Sequence, residues 1–99
     1  MKFTLDLPST IRSVRISPME ALIVEFLFQY GEAHGYAIAQ AIGKQPSWAY
    51  VNLQRMQGKG LISARSVVDT SKGRPIVYRK VKLLPQVKKA YARVRDDLA

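Results

Sequence analysis

The chain has 99 residues, of which 47% are hydrophobic and 23% are charged, a composition typical of one folded domain with a single core. It contains no cysteine, which excludes disulfides, thiolate metal sites and a cysteine nucleophile. Its formal net charge of +9 attracts polyanions and repels other copies of the chain.

The positive charge is segregated along the chain. Residues 1–34 carry three basic and four acidic side chains, whereas residues 35–95 carry thirteen basic and one acidic. A surface that is basic only for solubility would not need this asymmetry. We therefore expect the last two thirds of the chain to form a nucleic-acid-binding surface.

The sequence gives no indication of a membrane or secreted protein. Its longest apolar stretch, residues 21–28, is interrupted by Glu25 and is well short of the ~20 residues that cross a bilayer. The N-terminus has no unbroken apolar segment of the kind found in signal peptides. We expect a cytoplasmic protein, associated with nucleoid or plasmid DNA, without a membrane partner.

Residues 1–16 are predicted to form an N-terminal arm. Its apolar positions are Phe3, Leu5, Leu7, Ile11, Val14 and Ile16. The first three alternate with polar residues, which predicts a strand, and the others continue in an extended or irregular form. The arm either covers the core or reaches a second subunit, and the sequence leaves both possibilities open.

The first helix is predicted to begin after Ser17, because Ser-Pro-Met-Glu places a capping hydroxyl before a proline and sets a glutamate at the third helical position. It is predicted to end at Gly31. Apolar residues recur at three- and four-residue spacing and predict a buried stripe. The stripe consists of Met19, Leu22, Ile23, Phe26, Leu27 and Tyr30.

Two further helices are predicted at residues 36–42 and 47–58, joined by a short turn that begins at Gly43. A helix, a short turn containing glycine and a second helix form a helix-turn-helix. Four residues of the later helix are expected to face the core, namely Ala49, Tyr50, Leu53 and Met56.

After residue 60 the apolar period changes, and residues 61–68 and 76–83 are predicted to be strands joined by the turn-rich segment 69–75. This is a hairpin with a basic tip. A last helix, residues 85–98, carries a narrow apolar stripe that suits pairing with another helix. Its members are Val87, Tyr91, Val94 and Leu98, and we predict that they form a homodimer interface.

The predicted fold is mainly α with a small β-hairpin. It is a winged helix-turn-helix over residues 17–83, preceded by the arm at 1–16 and followed by a dimerisation helix at 84–99.

Four short motifs resemble the PadR-like family of winged-helix transcriptional regulators. They are HGYAI at 34–38, YVNLQRM at 50–56, GLI at 60–62 and GRP at 73–75, the last followed by Tyr78. Their order and spacing agree with that family over residues 18–95. The resemblance implies a dimer formed through the last helix, a recognition helix near 47–58, a wing at 63–82 and repressor-type DNA binding. It leaves a small-molecule effector an open question, because the last helix is short.

The recognition helix and the wing supply the predicted contacts to double-stranded DNA. Helical periodicity places Ser47, Trp48, Val51, Asn52 and Arg55 on the outer face. Asn52 is suited to adenine, Arg55 to guanine or a phosphate, and Val51 to a thymine methyl group. Lys44 in the turn is a candidate phosphate contact, and Lys72 and Arg74 at the wing tip are candidates for contacts to the minor groove or the backbone. Trp48 has an alternative role in completing the core.

Other functions are less consistent with the sequence. A winged-helix protein-interaction module would need an apolar or acidic face. RNA binding would need aromatic side chains outside the core, whereas the aromatic residues of this chain are expected to lie mostly on core faces. An enzyme is not expected, since the basic region has no carboxylate pair and the chain has one histidine, His34, which we expect to make a structural hydrogen bond. No metal or cofactor is predicted. A plasmid-partition or DNA-organising role stays open beside the regulator.

Overall fold

A computed structural model describes residues 3–7 and 12–98, apart from the side chains of Arg12 and Leu98. The elements in chain order are β1 (Phe3–Leu7), β2 (Arg12–Ile16), α1 (Pro18–Tyr30), β3 (Ala33–His34), α2 (Gly35–Ile42), α3 (Pro46–Gly58), β4 (Ile62–Asp69), β5 (Ile76–Leu83) and α4 (Pro85–Leu98). Three helices followed by a β-hairpin form a winged helix-turn-helix, as predicted. Within the described ranges no helix is both long enough and apolar enough to span a bilayer.

Local signals in the sequence set the ends of the first two helices. The Ser17 hydroxyl accepts a hydrogen bond from the Glu20 amide at 3.1 Å, and the Glu20 carboxylate accepts one from the Ser17 amide at 2.9 Å. This reciprocal pair is the predicted capping box. Gly43 ends α2 with a φ of 80°, in the left-handed region that glycine adopts without steric cost.

The buried face of α1 differs from the predicted stripe. Ile23 and Leu27 are buried, but Met19, Leu22 and Tyr30 are 41%, 45% and 69% exposed. The prediction is wrong for these three residues. The buried face of the helix includes the smaller side chains of Ala21 and Val24. Met19, Leu22 and Tyr30 therefore lie at the edge of that face.

The wing is the distal half of the hairpin between β4 and β5. These antiparallel strands pair from Ile62 opposite Leu83 to Asp69 opposite Ile76, and β5 also pairs with the short β3. Ile62 and Leu83 are buried at the base of the hairpin, whereas Val68 and Val77 are more than half exposed farther along it. The hairpin therefore extends beyond the core.

The N-terminal arm covers the core of its own chain. β1 and β2 form an antiparallel pair, and their inward-facing residues Leu5, Leu7, Val14 and Ile16 are at most 6% exposed. The strand predicted from the alternation in residues 3–7 is confirmed. Ile11 lies outside the described residues.

The last helix also packs on its own chain. Val87 and Tyr91 are 0% and 1% exposed, and the Tyr91 hydroxyl donates a 2.5 Å hydrogen bond to Glu25 of α1. The prediction that these two residues face a second subunit is wrong, because their surface is already covered. Val94 is partly buried against the same core, and the side chain of Leu98 lies outside the described part of the chain.

Candidate nucleic-acid interface

Helix α3 presents one continuous outer face. Its buried residues are Ala49, Asn52, Leu53 and Met56, and its exposed residues include Ser47, Tyr50, Val51, Gln54 and Arg55. With ~100° between successive residues, the helix is rotated by about 40° from its predicted orientation. The outer face therefore includes Tyr50 and Gln54 and does not include Asn52.

Asn52 borders a groove beside α3 but presents little of its side chain to a ligand. Its side chain is 7% exposed, and its amide nitrogen donates a 2.8 Å hydrogen bond to the Trp48 carbonyl oxygen one turn earlier. The prediction that Asn52 points outward is wrong, because the helix backbone supplies its hydrogen-bond partner. The prediction that Tyr50 is buried is also wrong, since it is 58% exposed.

Gln54 is an exposed candidate that the sequence analysis missed. It lies seven residues after Ser47 and three after Val51, which places all three on the same helical face. This spacing was the signal available in the sequence. A glutamine amide can make the same paired contact with adenine as an asparagine amide.

An open groove of about 760 Å³ borders α3 on the side of α1. Lys44, Ser47, Val51 and Arg55 line it and are all exposed, as predicted from periodicity and turn position. Gln45 is the N-cap residue of α3, but its side chain makes no capping hydrogen bond. The backbone amides at the positive end of this helix therefore have no hydrogen bond from a capping side chain.

Trp48 has a mainly structural position in this groove. It is partly buried against the core cluster, and the Lys44 ammonium nitrogen lies 6.0 Å from its ring centroid. That separation is within the range of a weak cation–π contact. The structure thus favours the role in completing the core over that of a direct base contact.

The wing tip is basic and exposed. Lys72 and Arg74 flank Gly73, whose φ of 81° forms the turn. Asp69, just before the tip, accepts hydrogen bonds from the Ser71 amide at 2.9 Å and hydroxyl at 2.6 Å. These bonds lower the pKa of Asp69, so it stays ionised near neutral pH.

Not every basic residue of the wing is available to a ligand. The Arg65 guanidinium donates two hydrogen bonds to the Glu32 carboxylate, from Nε at 2.7 Å and from Nη2 at 2.6 Å. The pKa of Glu32 is lowered by this pair and by the charges of Lys80 and Lys82. Arg65 therefore fastens the wing to the segment after α1.

A second groove, on the other side of α3, is lined by aromatic side chains. We call it the tyrosine cleft and define it by His34, Tyr36, Tyr50, Tyr78, Lys72 and Arg79. It has a volume of about 540 Å³ and lies between α2, α3 and the distal part of β5. Tyr36 and Tyr50 are 55% and 58% exposed. The expectation that the aromatic residues lie mostly on core faces is therefore wrong for this part of the molecule.

His34 has the structural role that the sequence predicted. Its Nδ1 accepts a 3.3 Å hydrogen bond from the Ala37 amide and caps α2. Its ring also contacts the rings of Tyr36 and Tyr78, with centroid distances of 6.4 and 5.4 Å. Residues 3–7 and 12–98 contain no cluster of three side chains able to hold a metal ion.

An ion pair holds the C-terminal end of α3 in place. Lys59 donates a 2.7 Å hydrogen bond to the buried carboxylate of Glu20 and a 3.0 Å bond to the Arg15 carbonyl oxygen. Burial raises the pKa of Glu20, but the bonds from Lys59 and Ser17 outweigh it, and the pKa lies below its ordinary value. Helix α3 is thereby joined to α1 and β2.

The chain is similar in fold to a solved structure described as a transcriptional regulator homologue protein from Pyrococcus horikoshii OT3. The TM-score is 0.66 and the sequence identity is 18%, over 83% of this chain and 77% of that chain. No family model matches the chain, and no curated protein matches its sequence. The structural likeness supports the fold, and the resemblance to PadR-like proteins stays a prediction.

Proposed function

We propose that this protein is a transcriptional regulator that binds double-stranded DNA through the outer face of α3 and the tip of the wing. The observation that carries the proposal is the placement of Lys44, Arg55, Lys72 and Arg74. All four are exposed, Lys44 in the turn before α3, Arg55 on α3 and the other two at the wing tip, and none of them forms a salt bridge with another described residue. Free basic side chains on a protruding helix and an adjoining hairpin complement the phosphates of a duplex.

The proposed base contacts come from the middle of α3. Gln54 presents a side-chain amide suited to adenine, Arg55 a guanidinium suited to guanine, and Val51 an apolar surface for a thymine methyl group. Lys44 and Ser47 are assigned to phosphates near the start of the helix. Lys72 and Arg74 are assigned to the neighbouring minor groove or backbone.

The proposal includes a repressor-type homodimer that reads a palindromic site, with its recognition helices ~34 Å apart. Since Val87 and Tyr91 are buried, the proposed contact between subunits moves to Leu22, Phe26 and Tyr30. Leu22 and Tyr30 are 45% and 69% exposed. The helix that carries them contains no basic residue, so two positively charged chains would repel each other least on this face.

Selection from a random duplex library at a fixed salt concentration tests the proposal. We expect enrichment of a sequence with two related half-sites, and a salt dependence that reflects several phosphate contacts. Binding that spreads beyond the selected site would indicate the plasmid-partition or DNA-organising role instead. A purified protein with no affinity for any duplex at low salt would contradict DNA binding and favour a protein-interaction module.

The dimer is tested separately by sedimentation. Leu22→Glu is expected to shift the protein to a monomer, whereas the matched change Val68→Glu on the wing is expected to leave the mass unchanged. A wild-type monomer would overturn the dimer and leave DNA binding to be judged on its own.

A further inference from the structure

The tyrosine cleft is built to hold its rings in fixed positions. A Cβ atom at Gly35 would lie 2.9 Å from Cε1 of Tyr50, so this ring rests directly on the start of α2 because residue 35 has no side chain. On the opposite wall the rings of Tyr78 and His34 pack edge to face with their centroids 5.4 Å apart, and His34 is itself held by its bond to the Ala37 amide. Tyr36 and Tyr50 are exposed and Tyr78 is half-buried, and each ring has a packing partner.

The rings leave aromatic surface available to a ligand. Tyr36 and Tyr50 are more than half exposed, and no aromatic contact of Tyr50 with another ring occurs among the described residues. An exposed aromatic face gains free energy when a flat apolar group stacks on it. The cleft volume of about 540 Å³ exceeds the space that a single nucleobase occupies.

Charged groups at the rim of the cleft favour a ligand that carries both negative phosphates and bases with polar edges. Lys72 and Arg79 are exposed and line the cleft, and neither forms a salt bridge with a described residue. Asp69 also lines it, and its ionised carboxylate can accept a hydrogen bond from an exocyclic amino group such as that of cytosine. Aromatic rings between basic side chains are the arrangement by which proteins hold single strands.

We propose that the tyrosine cleft binds unpaired nucleobases of a DNA single strand that adjoins the duplex held by α3 and the wing. This inference rests on the proposed function, because Tyr50 belongs to α3 and Lys72 to the wing tip. The bases of a paired duplex are stacked on one another, so their faces are hidden from the cleft. The faces of unpaired bases are free to stack on Tyr36 and Tyr50.

Affinities for a blunt duplex and for the same duplex with a four-thymine tail test this inference. The ratio of the two dissociation constants, measured by fluorescence anisotropy with the tail on the 3′ or the 5′ strand, defines the tail advantage. Wild-type protein is expected to bind one of the tailed duplexes at least about fivefold more tightly, the lower end of the effect of stacking one base. Equal affinity for the blunt duplex and both tailed duplexes would overturn the inference, while the blunt duplex alone tests duplex binding.

Paired substitutions separate stacking from hydroxyl contacts. The double variant Tyr36→Phe with Tyr50→Phe keeps both rings and is expected to keep the tail advantage, whereas Tyr36→Leu with Tyr50→Leu is expected to abolish it. If the phenylalanine variant lost the advantage as the leucine variant does, hydroxyl contacts to phosphate would replace base stacking and the inference would fail.

Two further variants guard against indirect effects. Lys88→Leu changes an exposed side chain of α4 that lies outside the cleft and is expected to leave the advantage unchanged. Gly35→Ala displaces the ring of Tyr50 without altering any tyrosine, and we expect a reduced advantage. Circular dichroism confirms folding of every variant before its affinity is compared. A loss in Lys88→Leu, or none in Gly35→Ala, would contradict the assignment to this cleft.

Discussion

Replacing Lys59 by methionine should destabilise the protein through the charge left on Glu20. The Glu20 side chain is 2% exposed, whereas that of Lys59 is 37% exposed. Removing one partner of a buried ion pair costs about 3–5 kcal/mol, but water can reach the vacated site, which screens the remaining charge. We therefore expect the free energy of unfolding to fall by about 2 kcal/mol, with a decrease in Tm of roughly 10 °C.

A second substitution shows whether the loss of stability in Lys59→Met comes from the buried charge or from lost packing of the Lys59 side chain. Glu20→Gln in the Lys59→Met background keeps an acceptor for the Ser17 amide but removes the charge, so it should recover more than half of the lost stability. Urea denaturation at pH 7 measures all variants. Lys88→Met, an exposed position on α4, is the control and should change stability little. If Lys59→Met resembled this control, or the double variant were no better than Lys59→Met, the reasoning would be refuted.

The pH dependence gives an independent check on the same pair. Because the pKa of Glu20 is lowered in the folded protein, its ion pair contributes full stability above its ordinary value of 4.5. That contribution is lost as the pH falls from there through the folded-state pKa. The stability difference between wild type and Lys59→Met should therefore shrink in acid. A difference that stayed constant down to pH 3 would exclude the ionised carboxylate as its cause.

Three further predictions concern the other surfaces. Gln54→Ala should relax base preference at one position of the site by about 1–3 kcal/mol without a change in Tm. Asn52→Ala should instead lower Tm and leave the base preference of the folded protein intact. The reverse pattern in melting and competition assays would contradict the orientation of α3. Neutralising Lys72 and Arg74 by glutamine should weaken binding to all duplexes alike and reduce the slope of log K against log salt by about 2, and a sequence-dependent loss would argue against backbone contacts. Glu25→Gln should destabilise the protein at pH 7 and less so at pH 3, because hydrogen bonds lower the pKa of Glu25; thermal melts at the two pH values measure this, and equal losses would contradict it.

Local signals accounted for most of the fold. The capping box at Ser17 and the left-handed glycine at Gly43 act through contacts within a few residues, so the sequence alone predicts where these helices begin or end. The change of apolar period after residue 60 likewise predicts both strands of the wing. Such features do not depend on what the rest of the chain packs against.

The errors arose where the partner of a side chain decides its orientation. Asn52 is polar but satisfies its amide on its own helix, so its polarity did not reveal its burial. Tyr50 is apolar over most of its ring but lies in an open cleft. The apolar stripe of α4 predicted a helix partner, and periodicity cannot distinguish a second subunit from β1 and α1 of the same chain.

The contact between β1 and α4 affects how the protein can be synthesised. The rings of Phe3 and Tyr91 are 5.5 Å apart, although they belong to the first and the last elements of the fold. During translation, the apolar side of β1 cannot be buried in this part of the core until α4 has been synthesised. Helix α3 leaves the ribosome earlier, so until α4 has emerged it can pack only on a hydrophobic interior that is still incomplete.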